Sequence, residues 1–225
     1  MSHPASALFA AILDDDRAKV KALLKTHPQL AIGAEEPVGR YEPGLPHWIY
    51  AGDTALHAAA AGHRLEIARL LISAGADVCA SKNHRRGQAL HYASDGYLDH
   101  PSWDASRQVA MILLLLGAGA DIHAQDRNGA TPLHRAVRTR CAAAVACLLD
   151  AGADATIRNK PGSTSFHLAV QNTGRGGSGE EKAKAAQREI INTFLAHGVS
   201  AAVKDANGKT VLQWAKSDWI RQIIA

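Results

Sequence analysis

Three glycines in the stretch NTGRGGSGEEKAKAAQ, Gly174, Gly176 and Gly179, spell G-x-G-x-x-G, the spacing at which backbone N–H groups of a loop can cradle a dinucleotide pyrophosphate. That chemistry needs a strand running into the loop and a helix leaving it. Here FHLAVQN precedes the glycines and EEKAKAAQREIINTFLA follows them, two helical patterns, so the glycines read as a flexible link between antiparallel helices. What survives is narrower: Arg175 lies in the loop beside a helix N-terminus, a place for an anion, although Glu180 and Glu181 oppose one there.

A second set of reactive types is Asp95, His100, Asp104 and Cys141, with Arg138, Arg140 and Arg175 to hold an anionic group. Acid–base or thiol chemistry requires these groups within hydrogen-bond reach and with shifted pKa values. Cys141 opens a helix near arginines, a setting that lowers a thiol pKa, but an inert half-buried thiol is the preferred reading. Twelve histidines invite a metal or a catalytic base, yet His57, His91, His134 and His167 recur one per repeating segment and do not converge as ligands must. No catalytic residue, metal site or cofactor is assigned.

The elements that must position these residues come from a repeat. TALHAAA from Thr54, QALHYAS from Gln88, TPLHRAV from Thr131, TSFHLAV from Thr164 and TVLQWAK from Thr210 are spaced by 34, 43, 33 and 46 residues. Each of the first four is followed by a second apolar helical pattern that closes on a glycine: IARLLISAGADV, AMILLLLGAGADI, AVACLLDAGADA and IINTFLAHGVSA. Thr131 fits an N-cap with Pro132 at the first helical position, and Gly75, Gly119, Gly152 and Gly198 fit left-handed helix ends.

With TPLH and GAD signatures recurring in phase, nearly the whole chain resembles the ankyrin repeat. The resemblance implies an all-α solenoid of stacked helix-turn-helix units with hairpin-like fingers along one edge, and one histidine per unit bonding to its neighbour. Residues 6–31 read as an N-terminal capping helix pair, 32–53 as an aromatic and proline-rich arm, and 54–80, 81–124, 125–157, 158–203 and 204–225 as successive repeats. Trp219, Ile220, Ile223 and Ile224 close the stack.

Binding residues are sought where the period breaks, since a common scaffold says little about function. The arm carries Tyr41, Trp48 and Tyr50, which either fold onto the stack or stay available to a partner. Insertions at 95–106, with Trp103, and at 172–183 flank the short turn that bears Arg138 and Arg140, forming a saddle. The position after each repeat histidine faces the concave side in ankyrin-like folds, which places Tyr92 and Arg135 there as contact residues. His84, Arg85 and Arg86 form a basic finger tip, extended by Lys82.

Composition narrows the function. Twenty-five basic against 21 acidic residues give only +4, spread along the chain, and aromatics are 5%, so a nucleic-acid role ranks third. Three cysteines without C-x-x-C spacing point to a reducing compartment, and neither a secretory leader nor a run of about 18 apolar residues is seen. The expectation is a cytoplasmic interaction module, off the membrane, that binds another protein with an acidic surface. The competing reading is a small-molecule binder or enzyme acting on an anionic ligand in the cleft between the inserted loops.

Overall fold

The structure is a computed structural model, and it describes residues 4–33, 40–42, 45, 47–96, 103–171 and 179–225. Among the described residues the chain is a row of helix pairs: α1 (Pro4–Leu13) with α2 (Arg17–Thr26), α3 (Ala55–Ala61) with α4 (Leu65–Ser73), and α5 (Ala89–Ser94) with α6 (Ala105–Gly117). Then come α7 (Pro132–Arg138) with α8 (Ala142–Asp150), α9 (Ser165–Ala169) with α10 (Glu181–Ala196), and α11 (Val211–Trp214) with α12 (Asp218–Ile224). Each pair packs on the next, and the apolar stripes meet in one continuous core from Leu8 to Ile224. Among the described residues the solenoid is all-α apart from two isolated β-bridges and the short hairpin β1 (Arg40–Glu42) and β2 (His47–Ile49), in which Tyr41 lies opposite Trp48.

The first helices begin where the sequence places their caps. Thr131 is extended at φ −85° and ψ 169°, and its hydroxyl accepts from the His134 amide. The Thr131 amide in turn donates to His134 Nδ1 at 3.2 Å, a capping box with histidine in the usual Glu position. Because Nδ1 accepts, the ring proton sits on Nε2 and is available to a neighbour. His57 Nε2 meets Gly87 O at 3.0 Å, His91 meets Ala130 O at 3.1 Å, His134 meets Ser163 O at 3.1 Å and His167 meets Lys209 O at 3.0 Å. One histidine per unit ties that unit to the next, as expected, and burial lowers all four pKa values, keeping the rings neutral.

The two interrupted repeats solve a local problem in a shared way. Where the turn is short, the carbonyl two residues after the histidine position is met by a backbone amide: Arg64 N to Ala59 O at 2.9 Å and Cys141 N to Ala136 O at 3.0 Å. A longer loop removes that amide and would orphan the carbonyl at a helix end. In its place Gln108 Nε2 donates to Ala93 O and Asp95 O, both at 3.2 Å, and Gln187 Nε2 donates to Ala169 O at 2.6 Å and Gln171 O at 2.7 Å. The second helices are also extended backward, to 13 residues in α6 and 16 in α10 against 9 in α4 and α8. Residues 105–106 and 181–183 of the sequence-defined insertions are therefore helical.

The finger tips are joined by main-chain bonds. His84 N donates to Ala51 O at 2.8 Å, Arg127 N to Arg85 O at 2.7 Å, Lys160 N to Asn128 O at 2.9 Å and Ala206 N to Gly162 O at 2.9 Å. This close approach needs Gly129, whose φ is +70° and whose Cβ, if present, would lie 2.8 Å from Lys160 N.

Candidate interaction surface

The arm and the second repeat's finger assemble an aromatic and basic corner. The Arg85 guanidinium lies 4.6 Å from the Tyr50 ring centroid, and its Nη2 donates to the Tyr50 hydroxyl at 2.5 Å. His84 stacks on Tyr50 at 6.2 Å, and Arg127 from the next finger reaches His84 Nε2 at 3.5 Å. Arg86 holds a left-handed φ of +53° at the tip and is exposed, and Trp48 on β2 is 50% exposed. Five of the sequence-derived residues, Trp48, Tyr50, His84, Arg85 and Arg86, thus lie along this arm and finger. The Tyr41 side chain and Arg175 lie outside the described residues.

Tyr92 and Arg135 require a correction: they are only 2% and 5% exposed and present nothing to a partner. The arm closes over them, and three carboxylates meet them. The Tyr92 hydroxyl donates to Asp53 Oδ1 at 2.7 Å, while His47 of β2 lies 4.8 Å from the Tyr92 ring and contacts Asp95 Oδ2 at 3.2 Å. Arg135 pairs directly with Asp95 Oδ2 and lies 3.8 Å from Asp126 Oδ2. Burial would raise the Asp95 carboxyl, but Arg135, the His47 hydrogen bond and Arg138 outweigh it and hold the pKa at about 2. Burial raises Asp53, against the pull of His57, the Tyr50 amide and the Tyr92 hydroxyl. These charges are interior struts.

Acid–base and thiol groups are spent elsewhere. Asp104 caps α6, accepting from the Ser106 and Arg107 amides, and Cys141 is buried, with burial raising its thiol pKa. His100 lies outside the described residues. Trp103 packs partly buried against the core, beside Gly96 and Cys141; a Cβ on Gly96 would lie 1.8 Å from the Cys141 sulfur. Arg138 and Arg140 border a pocket of about 150 Å³ between repeats 3 and 4. Among the described residues no three His, Cys, Asp or Glu side chains converge on a metal position, and no helix is long and apolar enough to cross a membrane.

Sequence reasoning missed how charge is sorted along the finger edge. In segments 81–87, 124–130, 157–163 and 203–209, Lys82, Arg86, Arg127, Arg158, Lys160, Lys204 and Lys209 are exposed, and the two acids, Asp126 and Asp205, are buried. Asp126 Oδ1 accepts from the Asn128 and Ala130 amides at 2.8 and 3.0 Å, and Asp205 Oδ1 from the Asn207 and Lys209 amides, both at 2.8 Å. Each acid shapes its own finger and shows no charge to solvent. The signal lay in AQDRNGA and VKDANGK, where an Asp two and four residues before backbone donors is a turn former.

Two family models match the sequence: one described as ankyrin repeat over residues 51–83, and one described as ankyrin repeats (3 copies) over residues 103–178. Among solved structures, an ankyrin repeat domain from Acinetobacter baumannii AYE aligns with a TM-score of 0.71 at 25% identity, covering 96% of this chain and 93% of that one. No curated protein matches the sequence significantly. The family models, the structural likeness and the unit-to-unit histidine bonds agree, and the chain is an ankyrin-repeat protein.

Proposed function

We propose that this chain is a cytoplasmic protein-interaction module that captures a partner with an acidic surface along its finger edge, with Trp48 and Tyr50 of the arm as the apolar part of the contact. Ankyrin repeats generally mediate protein–protein interaction. The observation that carries the specific reading is the row of exposed cations on four successive fingers whose only acids are buried. A single rim charge contributes little, but a row held at fixed spacing acts together and steers association. Free Cys79, Cys141 and Cys147 support the compartment.

A fluorescent Glu-rich peptide serves as the probe. The triple variant Arg86→Glu, Arg127→Glu, Lys160→Glu should weaken its binding at least about tenfold, near 1.4 kcal/mol, with the salt dependence flattened. Unchanged affinity in that variant, or tighter binding to random duplex DNA than to the peptide, would overturn the proposal.

A further inference from the structure

We propose that the pocket between repeats 3 and 4 binds a carboxylate attached to one branched-aliphatic or phenyl-sized group. The inference stands apart from the finger-edge reading and uses different residues.

Its floor is apolar: Val137 at the end of α7, Leu168 of α9 and Ile190 of α10, with Val137 and Ile190 buried. Arg138 and Arg140 are the only charged residues of its lining, and Arg138 is exposed. Size selects the ligand, because about 150 Å³ equals a cavity known to hold one benzene and falls below the roughly 300–1,000 Å³ of drug- or cofactor-sized sites. A nucleotide is too large. An apolar group of up to about six carbons fits the floor, which leaves an acidic head at the arginines.

Charge balance favours that head. Next to the pocket Arg135 pairs with Asp95 and stands 3.8 Å from Asp126, and the pocket lining adds Arg138 and Arg140, so three guanidinium groups meet two carboxylates in this neighbourhood. Asp95 is already shared between Arg135 and His47, and its other oxygen stands 3.8 Å from Arg138. Arg138 is 53% exposed, and no described residue pairs with the Arg140 side chain. Helix C-termini normally repel anions, and α7 and α9 both end here. Three of their last carbonyls are occupied, however: Ala136 O by Cys141 N, Val137 O by Arg140 N, and Ala169 O by Gln187. Both amide hydrogens of Gln187 are consumed in this way, so the arginines supply the pocket's charged donors.

Arg140 holds a left-handed φ of +58°, and Asp15 at +53° and His63 at +49° hold the same conformation in the corresponding turns. Glycine adopts it freely, so Arg140→Gly removes the guanidinium without strain on the turn. The test is an NMR titration of the whole chain with 3-methylbutanoate and benzoate, with their amides as uncharged controls. Millimolar affinity is expected for ligands of so few atoms. The acids, and not the amides, should shift the Val137, Leu168 and Ile190 methyls, and Arg140→Gly and Arg138→Gln should each weaken binding at least about fivefold with the melting temperature of Arg140→Gly held or raised. N-acetyl-Ala-Ala-Val with a free or amidated C-terminus separates the sources. If the free-acid peptide shifts the same methyls the ligand is a chain terminus, and if only the small acids do it is a free carboxylic acid. Equal shifts from acids and amides, wild-type binding by Arg140→Gly, or no methyl shift at all would overturn the proposal.

Discussion

Arg135 has left water to lie between Asp95 and Asp126, and its removal would leave Asp126 with backbone amides alone and Asp95 with His47 and the more distant Arg138. Breaking such a buried pair costs about 3–5 kcal/mol, whereas losing one hydrogen bond to a charged group costs about 1.5–3 kcal/mol. Arg135→Met should therefore lower the urea midpoint far more than Tyr92→Phe, which deletes only the donor to Asp53. Neither should change binding of an acidic peptide except through unfolding. The repeat period puts Tyr92 and Arg135 at equivalent positions after their histidines, but it carries no information about what covers them. The cover is His47, 48 residues away from the Asp95 it contacts, and no local pattern announces a pairing at that distance. His57, His91, His134 and His167, by contrast, were legible because each bonds within its own capped turn and to the adjoining unit.

Helices and turns follow from short-range chemistry, which is why their limits were readable from caps and glycines such as Thr131 and Gly152. The interruptions were visible as gaps in the period, but their structural cost was not. Gln108 and Gln187 precede matching apolar positions, Met111, Ile112 and Leu115 in α6 and Ile190, Ile191 and Phe194 in α10, so the signal was a shared Q-x-x-apolar-apolar spacing. Gln187→Leu keeps the helix and most of the volume while leaving Ala169 O and Gln171 O without their donor. We expect it to destabilise the chain by roughly 1–3 kcal/mol in thermal unfolding, with the loss concentrated in amide-exchange protection of α9 and α10. An equal loss spread over α3 to α6 would argue against the role given to this side chain.

At the scale of the whole molecule, the small net charge conceals a separation. Cations lie at the finger tips, and Asp77, Asp121 and Asp154 sit instead at the ends of the second helices, where each accepts from a nearby backbone amide. A total over the sequence averages these away, so the finger edge became legible only once the buried acids were known. Acid stability also belongs to this scale. Burial, and then Arg135, holds His91 at about 4, below the 6.5 of an unfolded ring, and burial lowers His63 to about 4 as well. The unfolded chain takes up more protons as pH drops, so stability falls from pH 6.5 toward 4. Asp95 adds a second window: its stabilising charge is present above the unfolded value near 3.9 and is lost as pH falls through about 2. Urea midpoints at pH 7.5, 5.5 and 4.5 should decline in step, and a flat series would contradict the neutral-histidine account.

The main-chain bonds between finger tips bear on how the array can bend. Arg127, Lys160 and Ala206 each donate across to the preceding finger, so that edge has a nearly fixed length, while the opposite edge is joined through side chains, as in His63 to Ala93 O, Arg64 to Leu13 O and Gly96 N to the Thr139 hydroxyl. A stack restrained along one margin flexes about that margin as a bound book opens about its spine. Thermal motion then fans the helices apart while the spine keeps its pitch, and the basic tips stay a ruler of constant graduation when the rest of the molecule breathes.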